Sequence, residues 1–75
     1  MMQKLETILA TTFRLPAEKI TDDLSMKNLE IWDSLLHMNL VMSLEEAYAI
    51  ELTMDEIMSM VDVASIRKII SERTG

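Results

Sequence analysis

Leu5, Ile8, Leu9, Thr12 and Phe13 fall at i, i+3, i+4, i+7 and i+8, the stripe of an amphipathic helix that starts near Gln3. The same period returns near the other end, where Val63, Ile66, Ile69 and Ile70 share a face. There Arg67, Lys68 and Arg73 lie towards the C-terminal end, where cations suit the helix dipole. A helix between these two should start at Asp33-Ser34, either of which can cap free amides, and run through Tyr48 or Ile50. Thr53-Met54-Asp55-Glu56 matches a capping box and predicts a short helix through about Met60, after which Asp62 caps the last one. Pro16 should end the first helix, because the residue before a proline is pushed away from helical angles. From Leu15 to Asp33 the period fades, and Thr21, Asp22, Asp23, Ser25 and Asn28 alternate with scattered Ile20, Leu24, Met26, Leu29 and Ile31. That stretch reads as a long loop with apolar anchors, in which Pro16 to Ile20 forms one helical turn. The expectation is an all-α, four-helix bundle with a long loop between helices 1 and 2 and a short helix 3. Leu5, Ile8, Leu9, Phe13, Leu40, Leu44, Tyr48, Ile57, Val63, Ile66 and Ile70 are its expected core.

Size and composition narrow the function. The 75 residues should form one domain, 1–75, and a chain this small buries only roughly 60% of its unfolded surface, which disfavours a deep catalytic cleft. Seven basic against 13 acidic side chains give a net charge of 7 − 13 = −6, which argues against nucleic acid and for basic protein partners. There is no cysteine for a disulfide, thiolate metal site or nucleophile, and the single histidine, His37, excludes a multi-histidine metal site. The only glycine is Gly75, so no glycine-rich loop can cradle a phosphate. The opening Met1-Met2-Gln3-Lys4 leads into no apolar signal core, so a cytoplasmic location is expected. The uncharged run from Ser34 to Leu44 is about half of a membrane span, and no span is expected.

Three features ask for a role. On helix 2, Leu40, Leu44, Ala47 and Tyr48 can fill the core, while Leu35, Met38 and Met42 form a second stripe beginning beside Ser34. Either that stripe is buried too, or it is a docking surface on which methionines adapt to several partners. Between Lys27 and Arg67 there is no basic residue but eight acids, Glu30, Asp33, Glu45, Glu46, Glu51, Asp55, Glu56 and Asp62, expected to lack internal counter-charges. Asp55, Glu56 and Asp62 suit the first turns of helices, whereas Glu45, Glu46 and Glu51 oppose the dipole of helix 2 and point to partner binding. Ser34 is either a plain cap or the site of an attached phosphate, which helix N-terminal amides stabilise. A hydrolase using Ser34 and His37 lacks a third orienting group.

Trp32-Asp33-Ser34-Leu35, followed by Leu40-Val41-Met42-Ser43-Leu44-Glu45-Glu46, resembles the acyl carrier proteins and the related peptidyl carrier domains. The similarity spans nearly the whole chain in the order of its helices and long loop. It implies a four-helix bundle of acyl-carrier type that is not itself an enzyme. By resemblance, Ser34 carries 4′-phosphopantetheine, transferred from coenzyme A by a phosphopantetheinyl transferase, and the thiol of that arm holds an acyl or aminoacyl group as a thioester. The same resemblance makes Asp33 and Leu35 recognition residues for the modifying enzyme, with Asp33 helping to hold that enzyme's metal. Leu35, Met38, Met42, Glu45, Glu46 and Glu51 become the docking face for a loading ligase and for downstream synthase or acyltransferase enzymes of fatty-acid or polyketide synthesis. A monomer without a metal site of its own is expected.

The chain departs from the family pattern in three places. Ile31 replaces a common glycine two residues before Asp33, with Trp32 following, a variant of discrete carriers in specialised pathways. Ala49 stands where a glycine often follows the aromatic residue, so helix 2 is expected to run on or to end without a left-handed cap. Leu36-His37-Met38-Asn39 lacks the acids of fatty-acid carriers. His37 is expected to face solvent or contact the phosphate, and Trp32 either shields the attachment point or anchors the loop. The alternative function is an unmodified acidic helical adaptor for basic proteins.

Overall fold

The computed structural model describes residues 2–74, with side chains from Leu5 to Thr74; Met1 and Gly75 lie outside the described residues. Four helices follow in order: α1 (Met2–Phe13), α2 (Ser34–Tyr48), α3 (Met54–Ser59) and α4 (Val63–Thr74). No strand occurs among the described residues, and a single 3-10 turn, Ala17–Lys19, follows Pro16 as the sequence suggested. The bundle is all-α, with the long connection between α1 and α2 and the short α3 that the pattern predicts.

α1 ends earlier than Pro16 requires. Arg14 turns left-handed (φ 59°), and the Leu15 amide reaches back to the Ala10 carbonyl at 3.0 Å, closing the last turn before the proline restriction acts. α2 ends the same way. Ala49 adopts φ 55°, ψ 48°, and the amides of Ala49 and Ile50 both bond the Glu45 carbonyl, so the expectation of a helix without a left-handed cap is corrected. The five-to-one and six-to-one bonds supply the acceptors that a glycine would otherwise make easy to reach.

The connecting segment is built, not slack. The Asn28 side chain accepts from the Ser25 amide and donates to the Asp23 carbonyl, both at 2.8 Å, while the Leu29 amide bonds the Ser25 carbonyl. Its middle pairs with the junction of α3 and α4: the Met26 amide bonds the Val61 carbonyl at 3.0 Å, and the Val63 amide bonds the Leu24 carbonyl at 2.9 Å. Arg67 adds side-chain ties from α4 to Asp22 in this segment (2.8 Å) and to Glu6 on α1 (3.2 Å).

α3 opens with the predicted capping box, Thr53 and Glu56 exchanging side-chain-to-amide bonds at 2.9 and 3.1 Å. Asp62 caps α4 by accepting from the Ser65 amide at 2.8 Å. Glu56 also takes the Arg73 guanidinium, with Nε 2.8 Å from Oε2. These hydrogen bonds, Arg73's first and Thr53's second, hold its carboxyl down to about 2. Glu56 therefore has an internal counter-charge, contrary to expectation, because α4 brings Arg73 back over α3.

Leu5, Leu9 and Phe13 meet Leu40, Val41 and Leu44 from α2, and Val63, Ile66, Ile69 and Ile70 close the core from α4. Ile8, Tyr48 and Ile57, expected inside, are only half-buried and pack against it. Ile20, Trp32, Leu52 and Met60, in the connections, are buried in their place. Trp32 is 2% exposed and packs against Phe13 with ring centroids 4.6 Å apart and the planes tilted by 41°, so it anchors the connection on the core.

Candidate functional site

α2 begins with a division of labour between two neighbours. Asp33 is the cap: its backbone is extended (φ −100°, ψ −174°), its Oδ1 accepts from the Leu36 amide at 2.9 Å, and its carbonyl takes the His37 amide at 2.8 Å. Ser34 is therefore the first helical residue and is exposed, and its hydroxyl makes no hydrogen bond among the described residues. The amides of Ser34 and Leu35 precede any intrahelical acceptor, so the helix end presents two free donors beside that hydroxyl. An anion held there is favoured by these amides and by the α2 dipole.

The outer face of α2 is apolar beside Ser34 and acidic further along. Leu35, Met38 and Met42 are 75%, 47% and 64% exposed, which decides the earlier alternative in favour of an open stripe rather than a buried one. Glu46 and Glu51 are exposed. Glu45 is half-buried, and its Oε2 accepts from the Leu52 amide at 2.9 Å, so one carboxylate oxygen fastens the turn after α2. Met54 and Met58 on α3, and Val61 just after it, are further exposed apolar residues, which the sequence reading left out although Met54 and Met58 stand at helical spacing. Of the eight acids between Lys27 and Arg67, seven (8 − 1) make no ion pair among the described residues, Glu56 being the exception.

His37 corrects its sequence assignment. It is 8% exposed and points into the bundle, where its Nδ1 accepts the Trp32 indole N–H at 3.0 Å and its Nε2 lies 2.8 Å from the Ile57 carbonyl oxygen. The ring faces neither solvent nor a phosphate on Ser34, and both nitrogens are occupied, so it cannot act as a base for Ser34. The inward face of α2 is His37, Leu40, Val41 and Leu44: Leu40 and Leu44 are buried as expected, while Ala47 and Tyr48 are only half-buried and His37 and Val41 complete the face instead. The signal was the i, i+3, i+4, i+7 spacing of those four, masked because one of them is a histidine.

A cleft of about 450 Å³ lies by the opposite end of α2, lined by Leu5, Tyr48, Arg67, Ile70 and Thr74, away from Ser34. Among the described residues, no three His, Asp or Glu side chains gather as a metal site, and no helix is long and apolar enough to cross a membrane.

A covalent arm fits this geometry. The hydroxyl is open to solvent, the cap position is already filled by Asp33, and a phosphodiester oxygen would meet free amides. No curated protein matches the chain closely. A family model described as the phosphopantetheine attachment site matches residues 3–73. With nearly its whole length covered, the chain belongs to the phosphopantetheine-binding carriers, non-catalytic domains that bear covalent 4′-phosphopantetheine and meet a phosphopantetheinyl transferase and biosynthetic enzymes.

Proposed function

We propose that Ser34 is the attachment residue, and that the 75 residues act as one monomeric carrier domain shuttling acyl or aminoacyl groups between enzymes in the cytoplasm. The observation that carries this is the free, exposed Ser34 hydroxyl at the α2 N-terminus, spared from capping by Asp33. No other described serine combines these features: Ser59 donates to the Asp55 carbonyl, Ser25 accepts from the Lys27 amide, the Ser65 amide is taken by the Asp62 cap, and Ser43 and Ser71 lie within α2 and α4, where amides are already bonded.

When bound, the arm supplies a terminal thiol on which cargo is held as a thioester. The chain's own residues do the rest. The Ser34 and Leu35 amides offset the phosphate charge, and Asp33 and Leu35 flank the hydroxyl for the transferase. Leu35, Met38 and Met42 offer a small apolar contact, while Glu45, Glu46 and Glu51 draw in basic rims around partner entrances. A contact of this kind is steered by charge and released quickly, as a shuttle requires. The partners are a loading ligase and downstream synthase or acyltransferase enzymes. The lack of acids in Leu36-His37-Met38-Asn39 favours a specialised pathway over housekeeping fatty-acid synthesis.

Incubation with coenzyme A and a broad-specificity phosphopantetheinyl transferase should add one arm to the intact mass, and Ser34→Ala should abolish the gain. No gain with several transferases favours the unmodified adaptor.

A further inference from the structure

Trp32, His37 and Ile57 form a buried chain of hydrogen bonds beside Ser34 that attachment itself does not use. An indole nitrogen only donates and a carbonyl only accepts, so the imidazole between them is fixed in one form. Its Nδ1 accepts from Trp32 at 3.0 Å, and its Nε2 donates to the Ile57 carbonyl at 2.8 Å. The chain joins three parts of the molecule: the connection two residues before Ser34, the first turn of α2, and α3. Phe13 holds Trp32 from its other side.

We propose that His37 and Trp32 are positioning residues for arm transfer to Ser34, holding the Asp33-Ser34 junction as the transferase meets it. The inference rests on Ser34 being the attachment residue. One residue, Asp33, separates Trp32 from Ser34. Its carbonyl takes the His37 amide at 2.8 Å, and its amide bonds the Ile31 carbonyl at 2.9 Å in a turn closed over Trp32, so the junction is tied directly to His37 and follows the backbone that Trp32 anchors. Loss of the Trp32–His37 bond frees the extended Asp33 backbone that sets the direction of the Ser34 hydroxyl.

The charged groups on the surrounding elements leave the ring to these two partners. Asp33 on α2 is committed to the Leu36 amide, and Glu56 on α3 to Thr53 and to Arg73 of α4. Arg14 after α1, Lys27 and Glu30 in the connection, and Asp55 on α3 are exposed. None of them hydrogen-bonds to the imidazole among the described residues.

The test measures initial rates of arm addition by intact mass, with the unmodified protein varied against coenzyme A and a broad-specificity transferase. His37→Leu removes both side-chain bonds and should raise the KM for the carrier about tenfold, with helicity by circular dichroism retained. His37→Gln can accept from Trp32 and donate to Ile57, and should restore most of the loss. The loss in His37→Leu should sit in KM, with kcat near the wild-type value. Should His37→Leu fail to fold, Trp32→Phe carries the test: the ring contact with Phe13 stays, the N–H is gone, and KM rises. Equal KM in wild type, His37→Leu and Trp32→Phe, or a KM for His37→Gln as high as that of His37→Leu, overturns the proposal. No addition to wild type, or addition that survives Ser34→Ala, overturns the Ser34 assignment instead.

Discussion

Two residues with side chains sit where glycine is at home. Arg14 and Ala49 both take left-handed backbone angles to close helices, at a steric cost of roughly 1–2 kcal/mol each that the reaching-back amides offset. Ala49→Gly should therefore stabilise the fold by about 1 kcal/mol, less what glycine adds to unfolded-chain entropy, read as a higher urea midpoint. No gain would mean that the Glu45 carbonyl bonds, not the backbone angle, dominate at that end. Residues whose partners lie within one turn could be read directly from sequence, as Thr53 with Glu56 and Asp62 with Ser65 show. His37 could not, since its acceptor on Ile57 lies twenty positions on and only packing brings them together. The same holds for Glu56 and Arg73.

At the level of elements, α2 does two jobs with two faces. His37, Leu40, Val41 and Leu44 secure it to the bundle, and Leu35, Met38 and Met42 face solvent. Because Met42 contributes little to the core, Met42→Glu should change stability by no more than about 0.5 kcal/mol. It should slow cargo transfer by a partner enzyme about tenfold while arm addition to Ser34 continues, since it alters the apolar contact and not the hydroxyl. Unchanged transfer would remove Met42 from the docking face. Helix number, order and approximate limits were legible because their apolar periods and caps are local. The connection was less so: Ile20 and Trp32 look like loop residues until the Asn28 and Ser25 bonds fold the segment over the core.

For the whole molecule, the balance is between a small core and a one-sided charge. A core of this size supplies only about 3–5 kcal/mol, against a net charge of −6 with seven unpaired acids between Lys27 and Arg67. Added sodium chloride, and divalent cations more strongly, should raise the melting temperature by screening that repulsion. A flat response would mean that the acids are spaced beyond mutual reach. The same field would draw in the basic partners proposed above, so screening that steadies the carrier should also slow its encounters with them.

The ladder that binds residues 24–26 to residues 61–63 uses main-chain atoms alone, so it is blind to which side chains those positions carry. Short of a proline at Met26 or Val63, substitution cannot delete its bonds. The exposed Met54 and Met58 of α3 can thus be exchanged, and the clasp that keeps α3 and α4 in register will not notice.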